Sequence, residues 1–265
     1  MTAGPPDPRP LVFITGASSG IGQALAQRFH RAGWRLALVA RRANSLHDWA
    51  RAQGYSEADC WISAADVQEV DSIVAAGLRC IAECGLPAAV VANAGISVGM
   101  DTAERADLDV MRDTLATNNL GLAATFHPFL AGMRAQRRGT LVGIASVAAI
   151  RGLPGHGAYC ASKAGVVAYC ESLRGECRPQ GVKVVTLVPG YIATPLTAGN
   201  RYPMPFLMSA EAFAERAFRA IEAGSSYCVI PWQMGVVAKL LRLLPNALFD
   251  RLFAGRGRKK RRGEA

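Results

Sequence analysis

Tyr159 and Lys163 stand four residues apart, and Ser146 lies upstream of them. Residues four apart share one face of an α-helix, about one turn from each other. A phenol ordinarily keeps its proton up to a pKa of about 10. A neighbouring ammonium favours the phenolate and lowers that value toward working pH. A tyrosine tuned in this way gives a proton to a carbonyl oxygen or takes one from an alcohol. Ser146 adds a hydroxyl that can hold the same oxygen in place. The chemistry in view is proton exchange at a C=O or CH–OH group. Tyr-x-x-x-Lys alone recurs by chance in many helices, so its meaning depends on the elements that position it.

A second cluster sits near the start of the chain. Thr15-Gly16-Ala17-Ser18-Ser19-Gly20-Ile21-Gly22 follows the apolar run Leu11–Thr15 and opens a helical pattern through Leu25, Ala26, Phe29 and Ala32 that ends at Gly33. In a strand–turn–helix, Gly16, Gly20 and Gly22 let the backbone approach a pyrophosphate, and the helix N-terminus attracts its charge. Ser18, Ser19 and Ile21 belong to the same candidate dinucleotide loop. The spacing Gly-x-x-x-Gly-x-Gly is one residue longer than the usual Gly-x-Gly-x-x-Gly fingerprint.

Further strand-like runs recur at Leu36–Ala40, Trp61–Ala65, Ala88–Ala92, Thr140–Ala145, Val182–Val188 and Tyr227–Ile230, with helical patterns between them. This alternation predicts an α/β fold: a Rossmann-like, doubly wound parallel sheet of about seven strands with helices on both faces. No internal repeat or low-complexity linker divides the chain. One domain over residues 10–231 is expected, preceded by a Pro-rich, disordered arm at 1–9 and followed by an extension at 232–265.

Composition agrees with a large buried core: of 265 residues, 51% are hydrophobic and 19% charged. Formal net charge is +10, but residues 250–265 hold seven Lys or Arg against two acids, which is half of the excess. A basic face for nucleic acid on the body is therefore not indicated. Seven cysteines form no Cys-x-x-Cys, and the four histidines are not spaced for zinc. No metal site is expected, and an odd cysteine count without a framework suggests reduced thiols and a cytosolic setting. The first residues carry no apolar signal core, and no run of about 18 apolar residues would span a bilayer.

The first-turn glycines, Asn93-Ala94-Gly95 after the fourth strand, Ser146, Tyr159-x-x-x-Lys163 and Pro189-Gly190 occur in one order and at spacings that resemble the short-chain dehydrogenase/reductase family. The likeness runs from residue 11 to about 230. It implies an oxidoreductase that moves a hydride between a nicotinamide cofactor and a carbonyl or alcohol. Tyr159 would be general acid in reduction and general base in the reverse direction. Lys163 would lower its pKa and hold the nicotinamide ribose, and Ser146 would orient the substrate oxygen. An Asn in the helix before the fifth strand would add a water to the proton relay. The family spacing, Asn three before Gly, selects Asn118 in Thr117-Asn118-Asn119-Leu120-Gly121, with Asn119 as the fallback. The resemblance also places Asp66 and Val67 at the adenine, and Asn93, Ala94 and Gly95 along the nicotinamide-side ribose. Pro189, Gly190 and Ile192 would lie against the carboxamide and Thr194 near the phosphates. Ala92 stands where relatives often carry a second Asn. Where relatives that use NAD carry an Asp at the second strand's end, this chain has Ala40, then Arg41 and Arg42. Guanidinium groups there would grip a 2′-phosphate, so NADP(H) is expected over NAD(H). The family's habit implies a homodimer or homotetramer. The alternative is a non-catalytic NADP(H)-binding regulator on the same fold, against which the full set Ser146, Tyr159 and Lys163 argues.

Two segments fall outside these motifs. Pro195 to about Ser209 reads as a substrate lid, with Leu196, Met204, Phe206, Leu207 and Met208 lining an apolar pocket. Leu153 and His156 are further candidates to face substrate, without an assigned role. Beyond Pro231, Val236, Val237, Leu240, Leu241 and Leu244 form an apolar stripe at helical spacing, broken by Pro245 and followed by basic residues from Arg256 to Arg262. Such an amphipathic, polybasic end suits either an anionic membrane surface or packing against the body or a second subunit.

Overall fold

All five residues of the first strand, Leu11–Thr15 (β1), are buried, a condition that requires a packed layer on each side of the sheet. Val12 and Ile14 share a core with Leu25, Phe29 and Phe213, whereas Leu11 and Phe13 join Ile73, Phe126 and Phe129 in another. In the computed structural model, which describes residues 7–200, 202–255 and 258–264, these are the two faces of one sheet. The remaining strands are β2 (Arg35–Ala40), β3 (Cys60–Ala64), β4 (Ala89–Ala92), β5 (Thr140–Ile144), β6 (Lys183–Pro189), β7 (Ile192–Ala193), β8 (Met208–Ser209) and β9 (Tyr227–Ile230). Seven of them form a sheet in the order β3-β2-β1-β4-β5-β6-β9, with every neighbouring pair parallel. The expected doubly wound α/β architecture is therefore the one observed.

The helices are α1 (Gly20–Arg31), α2 (Ala43–Ala52), α3 (Val70–Cys84), α4 (Asp107–Leu115), α5 (Gly121–Ala135), α6 (Gly157–Cys177), α7 (Pro195–Ala198), α8 (Ala210–Ala223), α9 (Trp232–Leu243) and α10 (Asn246–Phe253). Helices α1 and α8 cover one face, and α3, α5 and α6 cover the other. The chain winds outward from β1 toward β3 on one side and from β4 toward β9 on the other. The loops leaving β1 and β4 thus diverge, and the crevice between them is where such sheets take ligands.

Two departures from the sequence reading, and one choice between its alternatives, concern segments outside the main sheet. Of the arm expected at 1–9, residues 1–6 lie outside the described residues, and Arg9 is ordered by Asp7 at 2.7 Å and Asp59 at 2.6 Å. The segment after β6 is not a bare loop: β7 pairs with β8 in a small parallel sheet, and α7 lies between them. The C-terminal extension also packs on the body. Met234, Gly235 and Ala238 of α9 are buried. Arg151 binds the carbonyl of Leu244 at 2.7 Å and the Asn246 side chain at 3.1 Å, and its guanidinium lies over the Phe249 ring. Further on, Arg261 pairs with buried Asp107 at 2.6 Å and Arg262 with Asp113 at 2.8 Å. Arg256, expected to start the basic end, lies outside the described residues. No helix among the described residues is long and apolar enough to cross a membrane.

Candidate active site

The turn after β1 is fastened to the turn after β4. The Thr15 hydroxyl accepts from the backbone N–H groups of Asn93 (3.1 Å) and Ala94 (3.3 Å). The Asn93 amide donates back to the carbonyls of Thr15 (3.0 Å) and Gly16 (3.1 Å). Gly16 has φ +65°, and a Cβ there would stand 2.7 Å from the Ala94 Cα, so the two turns approach too closely for any side chain. Gly22 is closer still: its Cβ would meet the Gly16 carbonyl oxygen at 2.3 Å. These contacts hold open a cleft of about 430 Å³ at the carboxyl end of the sheet.

Most of the expected cofactor residues line that cleft: Gly16, Ser18, Ser19, Gly20 and Ile21 at the first turn, and Arg41 and Arg42 after β2. Asp66 and Val67 follow β3, Asn93, Ala94 and Gly95 follow β4, and Tyr159, Lys163, Pro189 and Thr194 close the far side. No carboxylate lies in the first turn of α1 to oppose an anion there. Glycine backbone at a helix N-terminus and two guanidinium groups at the end of β2 suit a phosphate-bearing dinucleotide. Asp66 also caps locally, accepting from the Gln68 N–H at 3.0 Å. Three expected contacts fall outside the cleft. Gly22 serves helix–strand packing, and Gly190 lines the neighbouring cavity. The Ile192 side chain is buried in the core, leaving only its backbone to face a ligand.

The three chemical residues converge where that cleft meets a cavity of about 930 Å³. Ser146 lines the cavity, Lys163 lines the cleft, and Tyr159 lines both. Ser146 caps a 3₁₀ turn, Val147–Ala149, its oxygen accepting from the Ala148 N–H at 3.2 Å. Tyr159 and Lys163 project from α6. Burial pushes the Tyr159 phenol up, and a hydrogen bond with Ser146 opposes that rise. Lys163 lies one turn further along the same helix. Its ammonium donates to the Ile144 carbonyl at 2.8 Å and lies 5.8 Å from the centre of the Tyr159 ring. Burial brings Lys163 itself down to about 8. The phenol is thus protonated at neutral pH, the form that donates to a carbonyl oxygen.

Asn118 occupies a π-helical turn, Ala116–Leu120, between α4 and α5. Its oxygen accepts from the Ile96 N–H at 2.9 Å, and its amide donates to the Ile96 carbonyl (3.0 Å) and the Ser162 hydroxyl (2.9 Å). It lines neither cavity and braces the β4 turn against α6. Asn119 instead donates to the Ser162 carbonyl at 2.9 Å.

The larger cavity only partly matches the expected lid. Leu196 and Met204 line it, as do Leu153 and His156. Phe206 and Leu207 are half exposed instead, and Met208 packs on the main core from β8. His156 faces the Tyr202 hydroxyl at 3.3 Å, and burial pushes its pKa down. The sequence reading missed Tyr191, Tyr202, Arg151 and Lys259, all of which line the wall, and the inner face of α9 at Met234, Val237, Ala238 and Leu241. The helical stripe in α9 could have pointed to that face. No local signal points to Lys259.

Comparison with known proteins agrees with this geometry. The family model described as short chain dehydrogenase matches residues 10–204. An uncharacterized oxidoreductase of Myxococcus xanthus is 39% identical over 241 residues, covering 90% of this chain and 94% of that one. Dehydrogenase/reductase SDR family member 7B of Bos taurus is 31% identical, covering 96% of this chain and 83% of that one. Among solved structures, a short-chain dehydrogenase from Sphingobium yanoikuyae in complex with NADPH superposes with a TM-score of 0.75 at 26% identity, covering 90% of this chain and 97% of that one. An alcohol dehydrogenase from Thermococcus sibiricus complexed with 5-hydroxy-NADP gives a TM-score of 0.72 at 25% identity, covering 83% and 95%.

Proposed function

The chain belongs to the short-chain dehydrogenase/reductase family of oxidoreductases, and from that premise we propose that it is an NADP(H)-dependent carbonyl reductase or alcohol dehydrogenase acting on an apolar substrate. The observation that carries this reading is the position of Tyr159, among the described residues the one candidate proton donor on the wall of both the dinucleotide cleft and the larger cavity. In reduction the bound nicotinamide supplies the hydride. Tyr159 gives its proton to the substrate oxygen, and Ser146 holds that oxygen beside the phenol. Lys163, charged below about pH 8, faces the cleft as a donor for the ribose. Asn118 fixes the β4 turn that carries Gly95 against α6. The apolar side chains of Leu153, Val237 and Leu241 line the same cavity and suit an apolar substrate. Purified protein given NADPH and a panel of apolar ketones is expected to consume the reduced nicotinamide. No consumption with any ketone, despite NADPH binding, would favour the non-catalytic alternative.

The cofactor preference rests on Arg41 and Arg42 at the end of β2, with Ala40 in place of a carboxylate. Two guanidinium groups grip a 2′-phosphate and have little to hold on a bare ribose hydroxyl. The double variant Arg41→Ala/Arg42→Ala is expected to weaken NADPH binding by about 30-fold or more, with NADH affected less than about threefold. Fluorescence titration with both nucleotides measures this, and equal losses for the two would discard the assignment.

A homodimer or homotetramer follows from the family's habit. Peripheral membrane contact keeps one support, the outer row Trp232, Val236, Leu240 and Leu243 exposed on α9. It loses another, because Arg261 and Arg262 pair with carboxylates of the body.

A further inference from the structure

Lys259 comes from the C-terminal segment, well outside the catalytic motifs, yet it stands on the wall of the same cavity as Ser146 and Tyr159. Its position is fixed by its neighbours. The Lys260 carbonyl accepts from the Gly99 N–H at 2.9 Å, Arg261 holds buried Asp107, and Arg262 holds Asp113. The Lys259 ammonium donates to the Leu196 carbonyl at 2.6 Å and to the Asn200 side-chain oxygen at 3.0 Å. An ammonium has three N–H donors, so one remains for a ligand. Both observed acceptors are neutral, and among the described residues no carboxylate pairs with Lys259. Its burial pushes the pKa down, as expected of a cation withdrawn from water without a counter-charge.

The rest of the wall sharpens the point. Among the described residues, the cavity lining contains no Asp or Glu, and Arg151 and Lys259 are its Arg and Lys side chains. Arg151 is already engaged with the carboxyl end of α9 and with Phe249. The same wall also carries apolar side chains, Met204, Leu241, Leu252 and Phe253 among them. A half-buried cation in such a wall binds a complementary anion more strongly than a fully hydrated surface lysine does.

We propose that Lys259 is the anion-recognition point of the substrate cavity and that the substrate is an apolar carbonyl or alcohol compound carrying a carboxylate. The proposal rests on the reading of this cavity as the substrate site and names the class of molecule it takes. The carboxylate engages the ammonium while the apolar body fills the cavity toward Ser146 and Tyr159.

The test is binding, without turnover. Dodecanoate and its neutral counterpart dodecanamide are titrated calorimetrically into the full-length protein and into its Lys259→Met and Lys259→Arg variants. The wild type is expected to bind dodecanoate about tenfold or more tightly than the amide. Lys259→Met should erase that preference with amide affinity unchanged, and Lys259→Arg should retain it. Equal binding of the two ligands by the wild type would overturn the proposal. So would a preference that survives Lys259→Met, or a matched loss for both ligands, which marks a packing role. Because no step requires hydride transfer, an inactive ketone panel and a failed dodecanoate preference are separate results.

Discussion

Tyr159→Phe is expected to lower kcat for ketone reduction by about 10³-fold or more while leaving the Kd for NADPH within about twofold. The substitution removes one oxygen and nothing else. Phenylalanine keeps the ring, so α6 and both cavity walls persist. What disappears is the proton donor and the partner of the Ser146 hydroxyl. Ser146 still has the Ala148 N–H at 3.2 Å, so the 3₁₀ turn is not dismantled. Because burial raises the phenol's pKa, wild-type reduction should not lose its acid form at neutral pH and should decline only toward alkaline pH. Steady-state kinetics across pH, paired with nucleotide titration, reads both quantities. A variant retaining more than about a tenth of the wild-type kcat would remove Tyr159 from the proton-donor role.

What the sequence disclosed, and what it hid, divides along the distance between interacting residues. The central strands were legible because each is buried on both faces, which writes a continuous apolar run bounded by glycine, as in Leu11–Thr15 before Gly16. The dinucleotide loop was legible because part of its geometry is local: Gly22 answers to the Gly16 carbonyl of the same turn, although Gly16 itself answers to Ala94 in the distant turn after β4. The hydrogen-bond partner of Lys163 was not legible. Helical spacing puts Lys163 on the same face, but it does not say that a carbonyl at the end of β5 takes the ammonium. The role of Asn118 depends on a π-helical turn that aims its amide at Ile96 and Ser162, and nothing in Thr117-Asn118-Asn119 announces that turn. The place of the basic end was left open between a membrane surface and packing because its partners, Asp107 and Asp113, lie 154 and 149 residues away in sequence. Phe206 and Leu207 were read as cavity lining from hydrophobicity alone. Phe206 instead takes a left-handed backbone, φ 56°, at a turn outside the cavity.

Lys163→Met is expected to raise stability while removing turnover. Lys163 is 5% exposed, donates to one neutral carbonyl, and titrates at about 8 where an ordinary lysine titrates at 10.5. Between those values the unfolded chain binds more protons than the folded one, so the stability of the wild type should rise with pH across that window. At neutral pH both states carry the proton, and the folded state bears the full cost of the buried charge, about 3 kcal/mol. Methionine keeps the length of the side chain and removes the charge. Losing the bond to Ile144 returns about 1 kcal/mol of that gain, which leaves a rise of about 2 kcal/mol and several degrees in Tm. The same change should lower kcat by about 100-fold or more if the ammonium positions the reacting partners. Thermal unfolding of both proteins at neutral pH and near the top of the window separates the two effects: the stability gap should close as pH rises, because the wild type sheds its buried charge and the variant has none to shed. A variant less stable than the wild type at neutral pH, or a gap that widens with pH, would mean that the ammonium is well solvated in the folded state. That pair of results, greater stability with lost turnover, is the one expected if Lys163 is kept for the reaction rather than for packing.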